Sequence, residues 1–258
     1  MHKLMFIDSH IHLNAGEYQA DLPALLANAF SKGVKAWIIP GTILSDIALQ
    51  VQIAKENRNC FNAFGIHPWF LDEIPEDWYE VLTQALKHHQ AVAVGECGLD
   101  FSREDHVLQK QIFEDHVKLS ITFNLPLIIH SYKAVDDVLK ILRKYPSARG
   151  VFHAINCSPQ QLTQILAQGF YVGFGGSVTY SRAKRLQRLL AQTPLDRLLI
   201  ETDGPYQIGA YGENGHRHLP ADLLHIAHFI AEQKSLELIE LANITTTNAI
   251  HLFNLEIK

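Results

Sequence analysis

Six side chains of the kinds that hold borderline divalent cations stand at the ends of short apolar runs in this sequence. His10 and His12 close Phe6-Ile7-Asp8-Ser9-His10-Ile11-His12. If that run is a strand, alternate side chains share a face and both imidazoles can reach one ion. Glu96 closes Ala91-Val92-Ala93-Val94-Gly95-Glu96, and His130 closes Pro126-Leu127-Ile128-Ile129-His130. His153 closes Gly150-Val151-Phe152-His153, and Asp203 closes Arg197-Leu198-Leu199-Ile200-Glu201-Thr202-Asp203. Four imidazoles with two carboxylates suit Zn²⁺ or Mn²⁺ better than the all-oxygen cages that Mg²⁺ and Ca²⁺ prefer. Brought together, they would activate a water for hydrolysis. A His-x-His pair alone is as readily packed or solvated as ligating, so the elements that carry these groups decide the matter.

Those elements alternate regularly. Helical periodicity predicts helices over Ala20 to Lys32 (ended by Gly33), Ser45 to Asn57, Glu76 to His88 and about Glu104 to Phe123. It predicts further helices over Val135 to Lys144, Ser158 to Gln168, Arg182 to Ala191, Ala221 to Gln233 and Leu236 to Leu252. Between them lie the runs above and three more strands, Ala36 to Gly41, Phe61 to Pro68 and Phe170 to Gly176. Continuous apolar strands joined by helices predict a parallel sheet covered on both faces. Eight such units predict an α/β fold, a (β/α)8 TIM-type barrel forming a single domain over 1–258. In a barrel the C-terminal strand ends share one mouth, so the six groups would meet there.

Composition narrows the partners. The chain has 258 residues, 47% hydrophobic and 19% charged, with a net charge of −5. It lacks the basic footprint of tight, sequence-independent duplex binding, but a small phosphoester or a nucleic-acid end remains compatible. Cys60, Cys97 and Cys157 form no C-x-x-C pair, which suits a reducing compartment; Cys97 reads as a small buried hydrophobe. No signal peptide or membrane span is evident, so a cytoplasmic monomer with no membrane and no obligatory protein partner is expected.

Around the mouth, His67 is a candidate substrate contact, and so is Arg182, close to where barrels bind phosphate. Lys184, Arg185 and Arg188 read with Arg182 as a solvated helix face. Arg217, in the loop from Gly204 to Leu219, is a third candidate substrate contact. His88, His89, His106, His116, His225 and His228 read as surface or packing residues.

His10-Ile11-His12, Gly65-Ile66-His67-Pro68, Gly95-Glu96-Cys97-Gly98-Leu99-Asp100, Ile129-His130-Ser131 and Glu201-Thr202-Asp203-Gly204-Pro205 resemble, in order, the signatures of the TatD family of metal-dependent deoxyribonucleases. Thr247-Asn248-Ala249-Ile250-His251-Leu252-Phe253 resembles that family's C-terminal helix, and Gly175-Gly176-Ser177-Val178-Thr179-Tyr180-Ser181-Arg182 its YjjV-like branch. The resemblance implies two divalent cations (Zn²⁺, Mn²⁺ or Mg²⁺): one on His10, His12 and Asp203, a second on His130 and His153, with Glu96 bridging. It implies a two-metal-activated hydroxide that cleaves phosphodiester bonds of DNA or a small phosphoester, 3′–5′ exonuclease-like on ends or single strands. Asp203 would be the base, with Glu96 as its catalytic partner.

The sequence departs from the family in three places. Ser131-Tyr132-Lys133 stands where Ser-Arg-Asp is common, which removes a bidentate arginine. Ile155-Asn156-Cys157 replaces Phe-Ser-Gly, and Arg217-His218-Leu219-Pro220 replaces Arg-Asn-x-Pro. All three bear on the substrate and none on the metal. Two other readings stay open. One is an amidohydrolase-like barrel cleaving ester, C–N or other phosphoester bonds of a small molecule, although many of these bridge their metals with a modified lysine where Glu96 stands. The other is a non-catalytic metal-binding protein, which would not need an open mouth.

Overall fold

A sheet whose strands are apolar on both faces must bury both, and this chain does so by curling. A computed structural model describes residues 4–212 and 217–257. Its strands are β1 (Phe6–Asp8), β2 (Val34–Ile39), β3 (Cys60–Phe64), β4 (Ala93–Asp100), β5 (Leu127–Tyr132), β6 (Gly150–Phe152), β7 (Tyr171–Phe174) and β8 (Leu198–Ile200), all parallel and paired in chain order. Ser9 N–H donates to the Ile200 carbonyl at 3.1 Å and Asp203 N–H to the His10 carbonyl at 2.8 Å, which closes the seam between the first and last strands. The predicted (β/α)8 TIM-type barrel forms.

The helices are α1 (Leu22–Lys32), α2 (Ile47–Glu56), α3 (Trp78–His88), α4 (His106–Thr122), α5 (Val135–Leu142), α6 (Pro159–Ala167), α7 (Lys184–Gln192), α8 (Leu223–Lys234) and α9 (Leu238–Phe253). Each predicted helix is present, with both ends within two residues of expectation. Among the described residues no helix is long and apolar enough to cross a membrane.

Strand alternation builds the interior in levels. Ile7, Ile38, Ala63, Ala93, Ile128, Val151, Tyr171 and Leu199 form one apolar cluster, packed with Ala249, Leu252 and Phe253 of α9. Their neighbours, such as Phe6, Ile39, Phe64, Ile129, Phe152 and Ile200, belong to a larger cluster with the helices. Two residues beyond the apolar level come His130, His153 and Glu201, and on other strands Gly65, Gly95 and Gly173. The glycines make room there. A Cβ on Gly65 would lie 2.6 Å from Gly95 Cα, and one on Gly173 would overlap the Glu201 carboxylate.

The first run departs from the predicted strand, because β1 stops at Asp8. Asp8 Oδ1 accepts the His10 N–H at 3.2 Å, an Asx-type turn. Phe6 and Ile11 both pack outward while Ile7 packs inward, so the turn shifts the phase by one residue. His10 and His12 therefore still share the inward side. β3 and β8 are also shorter than predicted: His67 and Asp203 lie past their ends.

Candidate metal centre

Glu96 projects from β4 into the mouth, and its two carboxylate oxygens face different partners. Oε2 lies 3.2 Å from His10 Nε2 and 3.8 Å from His12 Nε2. Asp203 Oδ1 lies 3.4 and 3.2 Å from the same two nitrogens, which are themselves 3.2 Å apart. Oε1 lies 2.8 Å from His153 Nε2, 3.1 Å from His130 Nδ1 and 3.3 Å from His67 Nε2. All six residues with ligand chemistry thus converge, and His67 joins them. Three groupings lie within reach of a single ion: His10 with His12 and Glu96, His67 with Glu96 and His130, and His10 with His153 and Asp203; the first two share the Glu96 carboxylate.

What holds each ring separates ligand from donor. His130 Nε2 is 2.9 Å from Asp100 Oδ2, so that nitrogen carries the hydrogen and Nδ1 offers its lone pair to the site. Imidazole ligands usually donate their outer N–H to a carboxylate in this way. Asp100 also accepts from Trp69 Nε1 at 2.7 Å and from Ser102 N at 2.9 Å. Burial would raise its pKa, but the hydrogen bonds of His130, Ser102 and Trp69 hold it below the usual carboxylate range. His67 is wired the opposite way. Its Nδ1 accepts the Trp69 N–H at 3.1 Å, so in the neutral ring Nε2 carries the hydrogen and is a donor toward the site.

Asp100→Asn should therefore weaken cation binding on the His130 side by about 10–100-fold, the usual cost of losing such a support. An asparagine oxygen at the Oδ2 place could still accept from His130 and Trp69, but it carries no charge to support the imidazole, and its nitrogen would face the Ser102 N–H, which needs an acceptor. Metal titration of the variant reads this directly; wild-type affinity would remove Asp100 from the site.

Two other buried carboxylates brace the centre. Asp8 receives Thr202 Oγ1 at 2.6 Å and Thr202 N at 3.0 Å, and burial pushes its pKa up to about 8. Glu201 accepts the Ala154 N–H at 2.5 Å and the Ser9 hydroxyl at 3.3 Å, with Oε1 3.8 Å from His153 Nδ1; burial pushes it up to about 7. Asp8, Asp100 and Glu201 were not among the predicted site residues.

Without a cation the centre holds a proton. Burial would lower His153, but the Glu96 charge raises it to about 10, while burial and the charge of His153 lower His10 to about 4. The two rings stack with centroids 4.0 Å apart. Burial would also raise Glu96, yet the charges of His153, His67 and His10 hold it well below the usual carboxylate range. Such a donor set fits a divalent cation: buried, imidazole and carboxylate, with one imidazolium that an ion can displace.

His116, expected to pack, carries the loop beneath His67. Its Nε2 accepts the Ile66 N–H at 3.1 Å and its Nδ1 donates to the Ile112 carbonyl at 2.7 Å. Burial lowers its pKa from 6.5 to about 4. Between those values the unfolded chain binds a proton that the native protein does not. Stability from this residue is therefore intact above pH 6.5 and falls as the pH drops toward 4, by about 3 kcal/mol in all. Denaturant titrations of metal-free protein at pH 7 and pH 4 should show that loss, and His116→Gln should remove it. An unchanged slope would contradict the assignment.

The remaining predicted contacts part company. Arg217 is held by Asp21 through a two-point pair at 3.1 and 2.7 Å and donates to the Glu17 carbonyl at 2.7 Å. The guanidinium ties the last loop to the entry of α1. Arg182 is exposed, with its guanidinium over the Tyr180 ring at 4.8 Å, and it precedes α7 rather than opening it. His218 is fully buried, its Nδ1 2.6 Å from the Tyr206 carbonyl and its Nε2 2.7 Å from the Tyr211 hydroxyl. His88, His89, His106, His225 and His228 are exposed, as expected, and all three cysteines are buried and unpaired.

Comparison with known proteins agrees with this centre. Residues 7–254 match the family model described as TatD related DNase. An uncharacterized metal-dependent hydrolase, YabD, of Bacillus subtilis (strain 168) is 32% identical over 255 residues, covering 97% of this chain and 100% of the relative. The 3′-5′ ssDNA/RNA exonuclease TatD of Citrobacter rodentium (strain ICC168) is 30% identical, covering 97% and 98%. The crystal structure of YjjV, a TatD homolog from Escherichia coli K12, superposes with a TM-score of 0.92 at 30% identity, covering 97% and 98%. A barrel with this mouth, matched along nearly its whole length, belongs to the TatD family and is a metal-dependent hydrolase.

Proposed function

We propose that the protein hydrolyses phosphodiester bonds of DNA, at ends or in single strands, with two divalent cations held on either side of Glu96. The observation that carries this reading is that Glu96 turns one oxygen toward His10 and His12 and the other toward His130 and His153. His10, His12 and Asp203 would hold one ion, and His130 and His153 the other. Bound there, the ions supply a nucleophile at neutral pH and offset the charge that develops on phosphoryl oxygens.

The chain's own groups do the rest. The charges of His12, His10 and His153 overcome burial and lower Asp203 to about 2, so it stays ionised. It accepts a hydrogen bond from the attacking water and takes the proton only as the bond to phosphorus forms. Gln207 donates to Asp203 Oδ2 and fixes the direction of that acceptor. His67, with its hydrogen on Nε2, donates to a phosphoryl oxygen.

The rim supports an unpaired strand. Trp69, Tyr132 and Tyr206 are among the few exposed large apolar side chains, and each adjoins the centre: Trp69 edge-on to His67 at 5.7 Å, Tyr206 to His12 at 5.6 Å, Tyr132 at the end of β5 beyond His130. Bases stack on such rings without sequence preference, which suits a chain of net charge −5. The name of the Citrobacter relative points the same way.

A metal-supplemented screen tests the proposal, using labelled single-stranded DNA, duplex DNA, aryl phosphodiesters and carboxylic esters. The expected result is metal-dependent phosphodiester cleavage, faster on single strands than on duplex. Cleavage of carboxylic esters alone would overturn it.

A further inference from the structure

Beside the second half of the centre, between the ends of β5, β6 and β7, lies a cleft of about 200 Å³ that reaches His130 and His153. Ile155, Phe174 and Val178, almost completely buried, and Leu186 of α7 form an apolar part of the lining, and Asn156, Ser177 and Gln207 a polar part. None of its lining residues is Lys, Arg, Asp or Glu among the described residues. Tyr132, Ile155 and Asn156 also line it.

We infer that this cleft is a specificity pocket for one compact, uncharged ring carried by the scissile phosphoester, a nucleobase or an aryl group. The inference rests on the phosphodiesterase reading and names the substrate class for it. Size decides the first point. Pockets for drug-sized ligands begin near ~300 Å³, so this one takes a single ring and not a run of nucleotides. Charge decides the second. A phosphate seated against Ile155, Phe174, Val178 and Leu186 would be desolvated there, since the pairing charge lies only at the His130 and His153 end.

The rim supplies direction. Arg185 donates to Asn156 Oδ1. Because a guanidinium only donates, the amide N–H groups of Asn156 are left as donors for a ring carbonyl. Ser177 Oγ donates to Gln207 Oε1 at 3.1 Å, and Gln207 in turn donates to Asp203. An occupant that touches Ser177 or Gln207 is thus linked by hydrogen bonds to the carboxylate that orients the water. A seated ring would steady that carboxylate, and an empty pocket would leave it less constrained.

Calorimetric titration of the metal-loaded protein with inorganic phosphate and with thymidine monophosphate tests this without turnover. Wild type should bind the nucleotide about tenfold more tightly than phosphate, near the low end of what one stacked base is worth. Leu186→Trp should fill the pocket and erase the preference while leaving phosphate affinity and metal content unchanged. Tyr132→Arg, at an exposed position with little folding risk, should lower it and favour a ligand with a second phosphate. Equal binding of both ligands by wild type, or an unchanged preference in both variants, would overturn the pocket. Failure to cleave any phosphodiester in the separate screen would overturn the reaction instead, since these titrations read binding alone.

Discussion

Replacing Glu96 by glutamine is expected to cost at least about 10²–10³-fold in turnover, as loss of a preorganised electrostatic group does. The reason is geometric. Glu96 Oε1 meets His153, His130 and His67 within 3.3 Å, and Oε2 meets His10 at 3.2 Å and His12 at 3.8 Å. Glutamine fills the same space but offers one oxygen, and its amide hydrogens would point at one of the two imidazole groups. On the proposed two-cation reading, one cation would then be lost, and with it the bridge. The residue is 2% exposed, so water cannot take the missing place. Metal content and turnover, measured together on folded variant, should fall together. A variant that keeps both would remove Glu96 from the centre.

Measured under saturating metal, so that its proposed part in holding a cation is offset, Asp203→Asn is expected to lower kcat by about 10²–10⁴-fold with little change in KM, as for a group that handles a proton in the transition state. Asparagine preserves the shape, and Gln207 can still donate to its oxygen. It cannot hold a negative charge beside His10 and His12 or take a proton from water. Because the carboxyl sits at about 2, wild-type activity should not decline through its ionisation between pH 5 and pH 8. Any loss toward acid should instead follow protonation of the imidazoles, which competes with the metal. A proportionate rise in KM with kcat unchanged would make Asp203 a substrate-binding group.

The helices were legible because their apolar spacing and their stops lie in contiguous sequence: Gly33 ends α1 in the left-handed region, and Ser158 opens α6 with a capping box. The clustering of the six imidazole and carboxylate groups was legible because strand ends converge in a barrel. The supports were not. Asp8 acts through Thr202, 194 residues away, Glu201 through Ala154, and Asp100 through Trp69. A single carboxylate in an apolar run has no spacing that announces its partner. One signal was available: Asp100 stands four residues beyond Glu96 on β4, on the same face by alternation. The Arg217 pairing was hidden for the same reason, since nothing near it in sequence shows that its loop folds back onto Asp21.

The most direct test of the bridged pair is anomalous scattering from crystals grown with Mn²⁺ or Zn²⁺. Two peaks are expected about 3.5–4 Å apart, one by Glu96 Oε2 among His10, His12 and Asp203, the other by Oε1 among His130 and His153. A single peak under saturating metal, or two peaks with Glu96 touching only one of them, would contradict it.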